Sequence, residues 1–69
     1  MCLSENIKKF RLENNLTQEQ LAAVLGISAQ AVSKWETGNT YPDGALLVPL
    51  AKALSVSLDE LFGNKTVSM

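Results

Sequence analysis

The stretch from Gln18 to Thr37, QEQLAAVLGISAQAVSKWET, constrains the fold of this chain more than any other segment. It reads as two short helices joined at Gly26, a residue type that takes positive φ in a tight turn without strain. Small or apolar residues occupy the positions at which two such helices touch, namely Leu21, Ala22, Leu25, Ile27, Val32 and Trp35. Each of these residues is common in helical proteins, but their joint spacing is not. The spacing therefore predicts two helices that cross at a steep angle with close backbone approach.

The second helix of this pair also has a polar face that helix packing does not use, formed by Ala29, Gln30, Ser33 and Lys34. Such a pair is a helix-turn-helix, in which the second helix enters the DNA major groove and its first turn meets base edges. We therefore predict a recognition helix over about residues 28–36. An ordinary solvated helix face is the alternative for Gln30 and Lys34.

The side chains of the predicted recognition helix suit base edges. Gln30 can bond adenine through one donor and one acceptor, and Lys34 can donate to guanine O6 and N7 or to a phosphate. Ala29 offers a methyl group to a thymine methyl, and Ser33 suits a base or a phosphate. Phosphate contacts are expected at the N-terminus of the preceding helix, where free N–H groups attract anions. Gln18 is the side chain at that position.

The apolar pattern elsewhere predicts an all-α protein of five helices. Residues that cap helix N-termini precede three of them: Thr17, Ser28 and Ser57. The predicted spans are residues 4–14, 17–25, 28–36, 43–54 and 57–62, with a turn-rich loop, TGNTYPD, before the fourth helix. Pro49 lies past the first turn of that helix, so we expect a kink there or a helix that begins near it. Trp35 is predicted to lie in the core, with stacking on nucleic acid as the alternative.

Length and charge bound the domain organisation and the partners. The chain has 69 residues, which suffice for one domain at residues 1–63, followed by a tail or linker start at 64–69. The formal net charge of −1 counts against nucleic-acid binding, because a basic surface is its usual footprint. The charges are uneven, however, since Lys8, Lys9, Arg11 and Lys34 lie in the first half. One face can therefore be positive.

Residue content argues against several other classes of function. There is no histidine and one cysteine, Cys2, so neither a zinc site nor an internal disulfide is expected. The chain has no paired nucleophile and base, no phosphate-binding loop and no apolar run that would span a bilayer. We therefore expect no catalytic residues, cofactor, metal, small-molecule ligand or membrane partner. The start of the chain lacks a signal-peptide pattern, and we expect a soluble, cytoplasmic protein.

Most of the chain also resembles a known family. The resemblance rests on Arg11, Pro42 and the segments LTQEQLA (16–22), LGIS (25–28), VSKWETG (32–38) and LAKALSVSLDELF (50–62). These residues closely resemble the phage-repressor and Cro-type helix-turn-helix regulators of bacteria. The resemblance implies a compact five-helix, lambda-repressor-like domain that binds double-stranded operator DNA, commonly as a homodimer. It also implies base readout at Ala29, Gln30, Ser33 and Lys34.

The resemblance further assigns roles around this helix. It implies an ion pair between Arg11 and Glu36, which we interpret as structural because Glu36 ends the recognition helix on the side that should face the first helix. Arg11 on a phosphate is the alternative. Gln18 matches a phosphate-contacting glutamine, and the loop with Asn39 and Thr40 matches a second phosphate contact. Relatives often carry lysine or arginine in that loop, where this chain does not.

Two functions from different classes remain open on the sequence. The first is a sequence-specific DNA-binding transcriptional regulator, or the DNA-binding part of one, probing the major groove as a dimer. The last predicted helix, with Leu58, Leu61 and Phe62, offers more apolar surface than a small core needs, and part of it can form a two-fold interface. The alternative is an antitoxin-like or regulatory protein-interaction module that kept the fold with weak DNA affinity, which the low charge favours.

Overall fold

Five α-helices make up the structure, a computed structural model that describes residues 2–63. They are α1 (Leu3–Glu13), α2 (Gln18–Leu25), α3 (Ala29–Thr37), α4 (Gly44–Leu54) and α5 (Leu58–Leu61). No strand occurs within these described residues, so the predicted all-α, five-helix class is confirmed. Every helix begins and ends within one residue of its predicted span. The predicted tail at residues 64–69 lies outside the described residues.

Side-chain caps mark where α2, α3 and α5 begin, as their sequence signatures predicted. The Thr17 hydroxyl accepts from the Gln20 N–H at 3.0 Å, and the Gln20 amide oxygen accepts from the Thr17 N–H at 2.9 Å. Ser57 and Glu60 form the same reciprocal pair at the start of α5. Ser28 caps α3 by accepting from the Ala31 N–H at 3.2 Å. These bonds satisfy N–H groups that have no partner inside their own helix.

The turn between α2 and α3 depends on Gly26. Its φ of 72° lies in the left-handed region, where a side chain would be strained. Its N–H and that of Ile27 bond back to carbonyls in the last turn of α2, ending that helix at once. The chain is therefore free to begin α3 at Ala29, two residues after Ile27.

Pro49 lies inside α4, which begins at Gly44. The alternative in which the helix begins near Pro49 is therefore wrong. The Leu46 N–H donates to the Asp43 carbonyl at 2.8 Å, which closes a first turn well before the proline. Pro49 itself is exposed, so the carbonyl that lacks its N–H partner lies on the solvent side. A kink at Pro49 stays a prediction.

The core draws on every helix. Its buried apolar residues are Ile7 from α1, Leu21 and Ala22 from α2, Val32 and Trp35 from α3, Leu50, Ala51 and Leu54 from α4, and Leu61 from α5. Trp35 is only 4% exposed, so its predicted core role is confirmed. Because Val32 and Trp35 bury one side of α3 in this core, the opposite side of the helix faces solvent.

Asn6 of α1 and Asn14, which directly follows α1, bond the C-terminal ends of two other helices. The Asn6 amide nitrogen donates to the carbonyl of Leu61, the last residue of α5, at 3.0 Å. The Asn14 amide nitrogen donates to the carbonyl of Leu54, the last residue of α4, at 2.8 Å. Such terminal carbonyls have no partner within their own helix. The two bonds therefore join α1 to the C-terminal part of the fold.

Candidate nucleic-acid interface

The exposed face of α3 carries the polar side chains predicted to read base edges. Gln30 and Lys34 are exposed and four residues apart, so they lie one above the other on the helix surface. Ser33 is half-buried beside them, and Ala29 is half-buried because it packs against the core. The structure therefore brings all four residues to one helix but leaves the Ala29 methyl only partly available.

The opposite end of α3 is held by a buried ion pair. Arg11 Nε donates to Glu36 Oε2 at 2.6 Å, and Arg11 Nη2 donates to Glu36 Oε1 at 3.0 Å. A third donor, Arg11 Nη1, bonds the Leu16 carbonyl at 2.8 Å. The two side chains are 8% and 3% exposed, and the hydrogen bonds that Arg11 donates to Glu36 raise the pKa of the guanidinium above its ordinary value. The pair joins α1 to α3, as the resemblance implied, and all three guanidinium nitrogens of Arg11 donate to partners inside the protein.

Gln18 joins this pair, which sequence reasoning missed. Its Nε2 donates to Glu36 Oε1 at 3.1 Å, and the side chain is half-buried at the first position of α2. One of its two amide hydrogens is therefore used inside the protein. The sequence signal was weak: a carboxylate can accept more than the two bonds of a bidentate arginine, which leaves room for a further donor without naming it.

A groove connects the start of α2 to the first turn of α3. Gln18 and Ala29 line it together with Thr17 and Glu19. The two predicted contact regions thus border one surface depression. Glu19 is exposed and adds a negative charge there, which opposes an anion bound at the same place.

The loop after α3 presents side chains rather than backbone N–H groups. The N–H groups of Asn39 and Thr40 both donate to the Lys34 carbonyl, at 3.0 and 3.3 Å. Their side chains are exposed. A phosphate at this loop would therefore meet a side-chain amide and a hydroxyl, both neutral.

We use the term contact surface for the seven residues predicted to touch DNA: Gln18, Ala29, Gln30, Ser33, Lys34, Asn39 and Thr40. Lys34 is its one charged member. Two further lysines, Lys8 and Lys9, are exposed on α1, and the Lys9 ammonium lies 5.4 Å from the centre of the Phe10 ring. The contact surface is therefore polar and weakly basic rather than strongly positive.

Other kinds of site find little support in residues 2–63. No group of three or more histidine, cysteine, aspartate or glutamate side chains there could hold a metal ion. No helix within that range is long and apolar enough to cross a membrane.

Comparison with known proteins shows which family the chain matches. Residues 7–61 match the helix-turn-helix family. The chain is 43% identical over 65 residues to the HTH-type transcriptional activator BcrR of Enterococcus faecalis, covering 94% of this chain and 32% of that protein. It is 40% identical over 55 residues to the HTH-type transcriptional regulator YazB of Bacillus subtilis, covering 80% of each.

A solved structure gives the same answer for the fold. The P22 c2 repressor, crystallised with a synthetic operator, superposes with a TM-score of 0.87 at 34% identity, covering 94% of this chain and 98% of that one. This chain spans about a third to just over half of the length of the first curated relatives it matches. The chain belongs to the helix-turn-helix family of phage-repressor and Cro-type transcriptional regulators.

Proposed function

We propose that this chain is a sequence-specific DNA-binding transcriptional regulator, or the DNA-binding part of one. The observation that carries the proposal is the pair of exposed side chains, Gln30 and Lys34, on a helix whose other side is locked into the core by Val32 and Trp35. A rigid helix with an exposed polar face fits the major groove. The relative of the same fold that was crystallised with an operator supports this placement.

The proposed readout follows from the chemistry of each side chain. Gln30 pairs with adenine, Lys34 donates to guanine or to a phosphate, and Ala29 and Ser33 make smaller contacts at a thymine methyl, a base or a phosphate. Gln18 approaches one phosphate with its second amide hydrogen, at a helix N-terminus that already favours anions. Asn39 and Thr40 approach another phosphate through their side chains. The chemistry is binding without catalysis, in the cytoplasm, within one domain at residues 1–63.

We further propose that two copies bind together. Leu58 and Phe62 remain 39% and 42% exposed, and they supply apolar surface for a two-fold contact. Leu61, which the sequence grouped with them, is fully buried and belongs to the core instead. A dimer would place two recognition helices about 34–36 Å apart and read a palindrome. Sedimentation of the chain with and without a palindromic duplex tests this, and one copy per palindrome would contradict it.

Selection of bound duplexes from a random DNA pool tests the function itself. We expect a short palindromic consensus, enriched over the starting pool. Gln30→Ala should then relax the preference at one base pair of each half-site, at a cost of about 1–3 kcal/mol. An unchanged consensus with Gln30→Ala would show that this residue does not read a base.

A protein-interaction module is the second candidate. The weakly basic contact surface favours it, because Lys34 is the one charge there and Glu19 lines the adjoining groove. Retention on heparin at low salt, together with a mobility shift on DNA from the chain's own promoter, separates the two. Failure of both, with the chain folded, would favour the interaction module.

A further inference from the structure

Glu36 is the point at which three helices meet through hydrogen bonds. Its carboxylate accepts two bonds from Arg11 of α1 and one from Gln18 of α2, while Glu36 itself lies near the end of α3. Its side chain is 3% exposed. Burial and three hydrogen bonds hold this carboxylate in one orientation. The carboxylate in turn fixes the positions of the Arg11 and Gln18 groups that donate to it.

The two ends of the Gln18 amide differ in what they can bind. The nitrogen carries two hydrogens and the oxygen only accepts. Glu36 Oε1 holds the nitrogen at 3.1 Å, and it would repel the amide oxygen in that place. Glu36 therefore decides which way the amide faces and leaves the second N–H hydrogen unused by this bond.

We infer that Glu36 is a positioning residue for the phosphate contact of Gln18, an inference that rests on the DNA-binding function proposed above. A phosphate oxygen accepts hydrogen bonds only, so the amide contributes affinity when its nitrogen side is presented. Without Glu36, the amide can rotate and offer its oxygen, which a phosphate repels. Arg11 neutralises the carboxylate, so that Glu36 can do this close to an anion.

The bond between Gln18 and Glu36 also links the start of α2 to α3. Gln18 begins α2, and Glu36 lies on the same helix as Gln30 and Lys34. One buried carboxylate thus ties the phosphate-contacting end of α2 to the base-reading helix. DNA contacts made by two different helices are held in a fixed relation.

A double-mutant cycle in DNA affinity tests the inference. Glu36→Asp keeps the charge that Arg11 needs but withdraws the carboxylate from Gln18 by one methylene group. We expect Gln18→Ala to weaken binding to the wild-type-selected duplex by about threefold to tenfold, the range of one hydrogen bond. In the Glu36→Asp background, the same change should cost less than about twofold. Fluorescence anisotropy of the labelled duplex gives the four dissociation constants.

Glu19→Asp is the matched control. Glu19 lines the same groove beside Gln18, but no hydrogen bond joins the two among the described residues. Gln18→Ala should therefore keep its full effect in the Glu19→Asp background. An equal cost of Gln18→Ala in the wild-type and Glu36→Asp proteins would overturn the inference while leaving the proposed function standing. A pool that yields no bound duplex would overturn the proposed function, and the inference with it.

A second measurement covers the case in which Glu36→Asp fails to fold. In the side-chain amide NMR spectrum of the wild-type chain, one Gln18 proton should lie downfield of the exposed Gln30 pair because it is bonded to a carboxylate. Adding the selected duplex should shift mainly the other Gln18 proton. Equivalent shifts of both protons, or no shift of either, would overturn the inference.

Discussion

The two ends of α3 handle polar side chains in opposite ways. Near its C-terminus, the Glu36 side chain is buried and its carboxylate accepts hydrogen bonds from Arg11 and Gln18, which lie on other helices. Near its N-terminus, Gln30 and Lys34 are exposed. The first end fixes the helix in the molecule, and the second leaves donors and acceptors available to a partner.

This contrast shows how one short helix can serve both stability and recognition. A buried charge is tolerated only when it is paired and hydrogen-bonded, so Glu36 needs partners from two other helices. An exposed amide or ammonium is already solvated by water and contributes little to folding. Changes at the exposed end should therefore alter binding with little effect on stability, whereas changes at the buried end should alter the free energy of unfolding first and DNA binding only through Gln18.

The largest loss of stability should come from removing the buried ion pair between Arg11 and Glu36. Arg11→Met removes the partner of a carboxylate that is 3% exposed, and we expect a loss of about 3–5 kcal/mol in the free energy of unfolding. Urea denaturation followed by Trp35 fluorescence measures it. Lys8→Met, at an exposed position of the same helix, should stay within about 0.5 kcal/mol of wild type. A loss below about 1 kcal/mol for Arg11→Met would mean that the pair does not hold α3.

Substituting two asparagines, one bonded inside the protein and one exposed, tests the same contrast with a smaller expected loss of stability. Asn14→Ala leaves the Leu54 carbonyl without its 2.8 Å bond and should cost about 1–3 kcal/mol of unfolding free energy. Asn39→Ala, in the exposed loop after α3, should change stability by less than about 0.5 kcal/mol and weaken DNA binding instead. The same denaturation and anisotropy measurements serve both variants. Equal losses of stability in the two would contradict the separation.

The smallest effect concerns the charge at the exposed end. Lys34→Ala should make the slope of log K against log salt shallower by about 1 per monomer, because one phosphate contact releases about 0.9 counterion. Lys52→Ala removes an exposed lysine from α4 and should leave the slope unchanged. DNA titrations at several salt concentrations give both slopes. A slope for Lys34→Ala that matches wild type would place Lys34 on a base or in solvent.

Features that depend on nearby residues were predictable from the sequence. A capping box links residues three apart, so Thr17 and Gln20 predict the start of α2 without knowledge of the rest of the fold. The same holds for the turn at Gly26. The alternative start of α4 near Pro49 was wrong, because the cost of a proline inside a helix depends on which side of that helix faces solvent, and nearby residues do not show this.

Features that depend on distant contacts were not predictable in the same way. The resemblance to the family supplied the pairing of Arg11 and Glu36, which are 25 residues apart. It assigned Gln18 to a phosphate but gave no hint of its bond to Glu36. Residue type and spacing show that a side chain is polar; they do not show which partner the folded chain brings within 3 Å.

The bond from Asn6 to Leu61 joins residues 55 positions apart in the sequence. A chain still growing on the ribosome cannot form this bond until Leu61 has been synthesised, and until then the amide nitrogen of Asn6 lacks the partner that it has in the folded protein. The contacts of α1 are consequently complete only once α5 is in place. Truncation at either side of the bond should therefore weaken the opposite side of the protein as well as its own.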